Sequence, residues 1–166
     1  MAVWTTDPEF NTRLFRRAAV PVQERQIGSW RLVTDDSFIL SVRRDRRRKL
    51  PRETGGVLLG SWDLVRGIVY VVASIAAPDD SEEWPTSYIR GAGGLEATVR
   101  AATMRTGSQL QYIGEWHSHP DEHTAEPSED DLKLFSWLQE YLRQDGYAPV
   151  MLIVAETELG WYVGTV

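Results

Sequence analysis

The chain has 166 residues, 42% of them hydrophobic and 25% charged, which suits one soluble globular domain with a sizeable core. A net charge of −6 and a pI near 5.1 argue against a broad nucleic-acid surface. The absence of cysteine excludes disulfide staples, a thiolate nucleophile and every cysteine-bearing zinc site.

No apolar run reaches the ~18 residues of a membrane helix, and the N-terminus carries acids without an apolar leader, so the expected compartment is the cytoplasm. Residues 1–26 read as an N-terminal extension in which Phe10, Leu14 and Phe15 line one side of a short helix ended by Pro21. Residues 27–33 read as a first strand. Asp35 or Asp36 then caps a helix through Arg48, with Phe38, Ile39 and Val42 on the buried stripe and the arginines outside. The basic run Arg43, Arg44, Arg46, Arg47, Arg48, Lys49 and Arg52 reads either as a solvated helix face or as a docking patch for an acidic partner.

Pro51 stops that helix, and Glu53-Thr54-Gly55-Gly56 leads into an apolar strand over 56–62. A glycine pair lets backbones approach closely. Glu53 there is either a solvated strand-end carboxylate or a group aimed at a site. Residues 67–77 pair with 56–62 as a hairpin across a short turn. Residues 78–92 form a polar, proline-broken insertion ending in a short strand over 88–90. A helix over 94–106 follows, carrying Leu95, Val99, Ala102 and Met104. The helix from Ser128 to Gln144 is the clearest in the chain: Leu134, Phe135, Leu138, Tyr141 and Leu142 recur at three and four residues, and Gly146 closes it. Two strands, 150–155 and 161–166, complete an α/β sandwich around a mixed, mainly antiparallel sheet flanked by helices.

All three histidines (His117, His119 and His123) fall within Gly114–Leu132. His117 and His119 end an apolar strand two residues apart, so both rings face one side. Two imidazoles so placed make half of a zinc site, although such a pair alone also suits a structural role. Ser128 and Asp131 open the next helix, where they satisfy a capping box. They could also supply a third ligand and a hydroxyl.

Glu53, His117-Ser118-His119-Pro120 and Ser128-x-x-Asp131, in that order, resemble the JAMM/MPN+ motif of the JAB family of zinc metalloisopeptidases. The resemblance covers residues 27–166 and is nearest to the compact prokaryotic JAB proteins found beside ubiquitin-like proteins and their activating and conjugating enzymes, antiphage systems included. It implies a cytidine-deaminase-like, MPN-type fold and one Zn²⁺ held by His117, His119 and Asp131. It implies Glu53 as general base and Ser128 as oxyanion donor. It also implies hydrolysis after the C-terminus of a ubiquitin-like protein, whose tail the insertion at 78–92 grips by strand addition. The loop Asp121–Pro127 is one residue longer than the family commonly shows. Asp130 keeps the usual distance from the histidines and Asp131 keeps it from the serine. Asp131 is preferred because a helix start has fixed geometry whereas a loop absorbs an insertion, and His123 is an outside candidate. The competing readings are a zinc hydrolase of small or non-ubiquitin peptides and a non-catalytic MPN scaffold. No membrane or nucleic-acid partner is expected.

Overall fold

The computed structural model describes residues 2–6, 12–16 and 21–166. Ala2–Thr6 (β1) and Thr12–Arg16 (β2) form an antiparallel ribbon. Leu14 and Phe15 therefore lie in a strand and not in the expected short helix, while Phe10 falls outside the described residues. A helix of so few residues is marginal by itself, whereas pairing with β1 gives the backbone groups of both segments partners.

The expected strand over 27–33 is two strands. Val22–Ile27 (β3) and Trp30–Asp35 (β4) pair antiparallel with Ile27 opposite Trp30. Gly28 has φ +56°, which permits the two-residue turn at Gly28-Ser29. Thus β3, which lies in the segment read as an extension, is an edge strand of the main sheet.

Asp35 caps helix α1 (Asp36–Lys49), its carboxylate accepting from the Phe38 N–H at 2.9 Å. The chain continues through Gly55–Asp63 (β5), Ile68–Ala76 (β6), the hairpin Glu82–Trp84 (β7) and Ser87–Ile89 (β8), and helix α2 (Leu95–Arg105). It ends with Gln111–Ser118 (β9), helix α3 (Glu129–Arg143), Val150–Val154 (β10) and Leu159–Val163 (β11). The main sheet has the order β11-β10-β9-β5-β6-β4-β3. It is antiparallel except at β9–β10 and β4–β6, the mixed, mainly antiparallel sheet expected from the sequence.

Strand β10 is buried on both faces, which its unbroken apolar sequence requires. Val150, Leu152 and Val154 join Phe38, Ile39 and Val42 of α1 in the main core. Met151 and Ile153 face the other way, toward Phe135 of α3 and Tyr162. Each such side chain contributes about 1.5–3 kcal/mol on burial. The helix stripes are less complete than their periodicity predicts: Met104 is 70% exposed and Tyr141 51%. Tyr141 instead stacks on Trp137 with ring centroids 5.3 Å apart.

Candidate active site

Because β5 runs antiparallel to β9, the first residues of β5 lie beside the last residues of β9, with Gly55 opposite His117. Glu53, two residues ahead of Gly55, is thereby carried to the histidines. Thr54 and Ser118 lock the two strand ends together. The Ser118 N–H donates to the Thr54 carbonyl at 2.7 Å, and the Thr54 N–H donates to Ser118 Oγ at 3.0 Å.

The start of α3 meets this junction. His117 Nε2 lies 3.3 Å from His119 Nε2 and 2.9 Å from Asp131 Oδ1, and His119 Nε2 lies 3.4 Å from Asp131 Oδ2. His117 is 4% exposed, and the His119 and Asp131 side chains are 11% and 13% exposed. Zinc bound tetrahedrally at about 2.0–2.1 Å would set its ligand atoms about 3.3–3.4 Å apart; the His117–His119 and His119–Asp131 separations match that, and the His117–Asp131 contact, made by the other carboxylate oxygen, is shorter. The His119 tautomer suits as well. A carbonyl can only accept, so Nδ1–H donates to the Thr124 carbonyl at 2.7 Å, which in the neutral ring puts the Nε2 lone pair toward the cluster. Two imidazole nitrogens and a carboxylate oxygen are therefore a donor set that fits Zn²⁺.

The capping box is present together with this cluster. Ser128 Oγ accepts from the Asp131 N–H at 3.2 Å, and the Ser128 N–H and hydroxyl both donate to Asp131 Oδ2 at 2.7 Å. Asp130 instead takes a bond from Lys133 at 2.7 Å, with its side chain 88% exposed. His123 is exposed, and its Nδ1 bonds the Asp121 carbonyl at 3.0 Å, outside the three-residue cluster.

Burial pushes Asp131 up, but hydrogen bonds from His117, His119 and Ser128 outweigh it and hold the carboxyl well below the usual range. Burial pushes His119 down, and the bonds to Asp131 and Thr124 outweigh that, so its pKa is raised. Glu53 is raised by burial against the opposing pull of His117 and His119, which makes it a stronger base than an exposed glutamate.

Glu53, His117, His119, Ser128 and Asp131 line one cleft of about 620 Å³, whose other wall is β8 and Arg90. The insertion that carries β8 is clamped at both ends. The Glu53 N–H donates to the Trp84 carbonyl at 2.8 Å, and Lys49 donates to Glu83 at 2.6 Å. At the far end Arg90 pairs with Glu115 at 2.9 Å, and Glu115, 3% exposed, also accepts from the Tyr112 hydroxyl at 3.0 Å.

Sequence reasoning missed Arg90, Glu115 and Arg46. Arg46 was placed outside with its neighbours, yet it is 3% exposed. One signal could have found it: it follows Val42 by four and Ile39 by seven, on the apolar stripe of α1. Of the rest of the basic run, Arg43 donates to the Glu156 and Thr157 carbonyls and Lys49 holds the insertion. Arg44, Arg47, Arg48 and Arg52 are exposed.

A mixed sheet with a His-His-Asp cluster at the β5–β9–α3 junction defines the class of domain, and comparison with known proteins specifies it. The family model described as prokaryotic homologs of the JAB domain matches residues 36–163, and the chain belongs to that family. The chain is 34% identical over 110 residues to a protein of Enterobacter hormaechei subsp. hoffmannii named CD-NTase/cGAS isopeptidase. That match takes in 66% of this chain, which spans only 59% of the relative's length. A Desulfitobacterium hafniense protein of known solution structure shares the fold, with TM-score 0.51 and 18% identity over 78% of this chain and 80% of that one. A JAB1/MPN domain protein from Archaeoglobus fulgidus aligns with TM-score 0.45 and 19% identity over 77% and 87% of the two chains. Among the described residues no helix is long and apolar enough to cross a membrane.

Proposed function

We propose that this chain is a zinc-dependent isopeptidase or peptidase that hydrolyses the amide bond after the C-terminus of a ubiquitin-like protein, in deconjugation or precursor maturation. The observation that carries the reading is the triangle of His117, His119 and Asp131 ligand atoms in the cleft that also holds Glu53. The relative named an isopeptidase supports it.

His117, His119 and Asp131 would hold Zn²⁺, which when bound would supply a water of pKa about 7 and Lewis acidity toward the scissile carbonyl. Glu53 takes the proton of the attacking water and delivers it to the amine as the C–N bond breaks, a role contributing about 10²–10⁴-fold. Ser128 donates to the oxyanion that develops on the carbonyl. Its single hydroxyl proton is directed here at Asp131 Oδ2, so that service requires redirecting it. The substrate tail enters extended along β8, which among the described residues pairs only with β7 and whose Ser87, Tyr88 and Ile89 line the cleft. Cognate activating and conjugating enzymes are the further partners this reading implies.

The test pairs zinc analysis of the purified protein and its His117→Ala variant with hydrolysis of ubiquitin-like fusions and of short unrelated peptides. Zinc in the wild type alone, with cleavage confined to the fusions, is the expected result. Undiminished zinc in the variant overturns the ligand set. Cleavage of the short peptides alone overturns the substrate class, and an inert zinc-loaded protein overturns catalysis.

A further inference from the structure

Strand β9 ends at Ser118, so the two histidines are held by different means. His117 lies within the sheet, flanked by β5 and β10. His119 lies beyond the strand. Its N–H still reaches the Val154 carbonyl at 3.1 Å, but its carbonyl has left the ladder. That carbonyl accepts from Arg46 Nε at 2.8 Å, and Arg46 Nη2 donates to Asp121 Oδ1 at 2.6 Å. One guanidinium therefore clasps both ends of His119-Pro120-Asp121, a task its rigid planar fork can perform and a lysine ammonium cannot.

Arg46 is the one buried lysine or arginine within residues 21–166, and it occupies a position of α1 that an apolar side chain could fill. Burying a cation costs free energy that pairing often only offsets, and well-packed hydrophobic replacements of buried ion pairs are commonly neutral or stabilising. Stability therefore does not account for an arginine there, whereas the geometry of the loop does. The same loop is pinned further on, where Glu158 Oε1 accepts from the Ala125 N–H at 2.8 Å and the Tyr162 hydroxyl donates to the Ala125 carbonyl at 2.9 Å.

We infer that Arg46 is a positioning residue that sets His119 for metal binding from the far side of the helix–sheet interface. This rests on the proposed zinc site. The test is zinc affinity, measured by competition with a chromogenic chelator, alongside thermal unfolding of the zinc-free protein. Arg46→Met keeps the aliphatic bulk and removes the clasp. Its zinc affinity should fall about 10–100-fold while the zinc-free unfolding midpoint stays near wild type. Asp121→Ala, at a side chain 54% exposed, releases half the clasp without removing a core side chain and should give a smaller loss; it decides the matter if Arg46→Met does not fold. Wild-type affinity in a folded Arg46→Met, or in Asp121→Ala where only that variant folds, overturns the inference. His117→Ala in the same assay separates the two claims. If it too keeps its zinc, the metal site itself is wrong. If it loses zinc while the Arg46 and Asp121 variants bind normally, only the role of Arg46 is wrong.

Discussion

Gly55 is the point at which the sheet and the site depend on the same few tenths of an ångström. A Cβ at this position would lie 2.3 Å from the Trp116 carbonyl oxygen and 2.5 Å from Tyr88 Cε1. The Tyr88 ring can shift, since it sits on the short β7–β8 hairpin, but the carbonyl belongs to β9 next to His117. Restoring 3.0 Å requires β5 and β9 to part by about 0.7 Å. Overpacking of this kind costs about 1–3 kcal/mol, of which the stiffer unfolded chain of Gly55→Ala returns about 0.4–1. A net loss of about 1–2 kcal/mol lowers Tm by roughly 2–8 °C for a domain of this size. His117 is the register partner of Gly55 and moves with the carbonyl. On the proposed mechanism the metal ligands and the base must hold to about 0.5 Å, so turnover should drop by about 10–100-fold, more than the lost stability explains. Thermal unfolding by circular dichroism and hydrolysis of a ubiquitin-like fusion measure the two effects. A Gly55→Ala protein with wild-type Tm and turnover would show that the strands are not held this tightly and would refute the reasoning.

Glu53→Gln should retain zinc and Tm but lose about 10²–10⁴-fold in kcat; full activity removes it as the base. Ser128→Ala should cost about 1 kcal/mol through the lost N-cap and about 10²–10³-fold in kcat through the lost oxyanion donor, so a stability loss with unchanged kcat leaves the cap as its only role. For the zinc-free protein the lowered Asp131 stabilises above the ordinary carboxyl value of about 3.9, and that contribution is lost as pH falls through its folded pKa. The raised His119 stabilises fully below about 6.5, and that contribution is lost as pH rises through its folded pKa. Glu53, raised by burial, likewise loses its contribution as pH rises above its ordinary value, so urea midpoints of the zinc-free protein should be highest in mildly acid solution above about pH 4 and decline as pH rises, while zinc affinity rises as the His119 ring gives up its proton. A flat profile in both would contradict the His119–Asp131 coupling.

Local chemistry made much of this protein legible in its sequence. A cap at Asp35 or Asp36, the Ser128 cap, the α3 stripe, the β5–β6 hairpin and the parity that sends His117 and His119 to one side are all short-range effects. Each depends on residues within a turn or a strand of one another. The order of Glu53, His117, His119, Ser128 and Asp131 was visible too, but not their approach, which follows from pairing β5 against β9 and laying the start of α3 over the junction. The failures share a cause. Gly28 turns inside the segment read as one strand, because a single positive φ outweighs the pattern around it. Met104 and Tyr141 stay exposed because periodicity marks a face without saying whether anything covers it. Arg46 looked like its neighbours because burial of a cation is decided by partners 73 and 75 residues away, and Arg90 meets Glu115 across 25. Composition and spacing determine which elements form and which faces they offer. Only the closed chain determines which buried charges find partners, because such a charge is tolerated only where distant segments bring it an opposite charge or a free carbonyl.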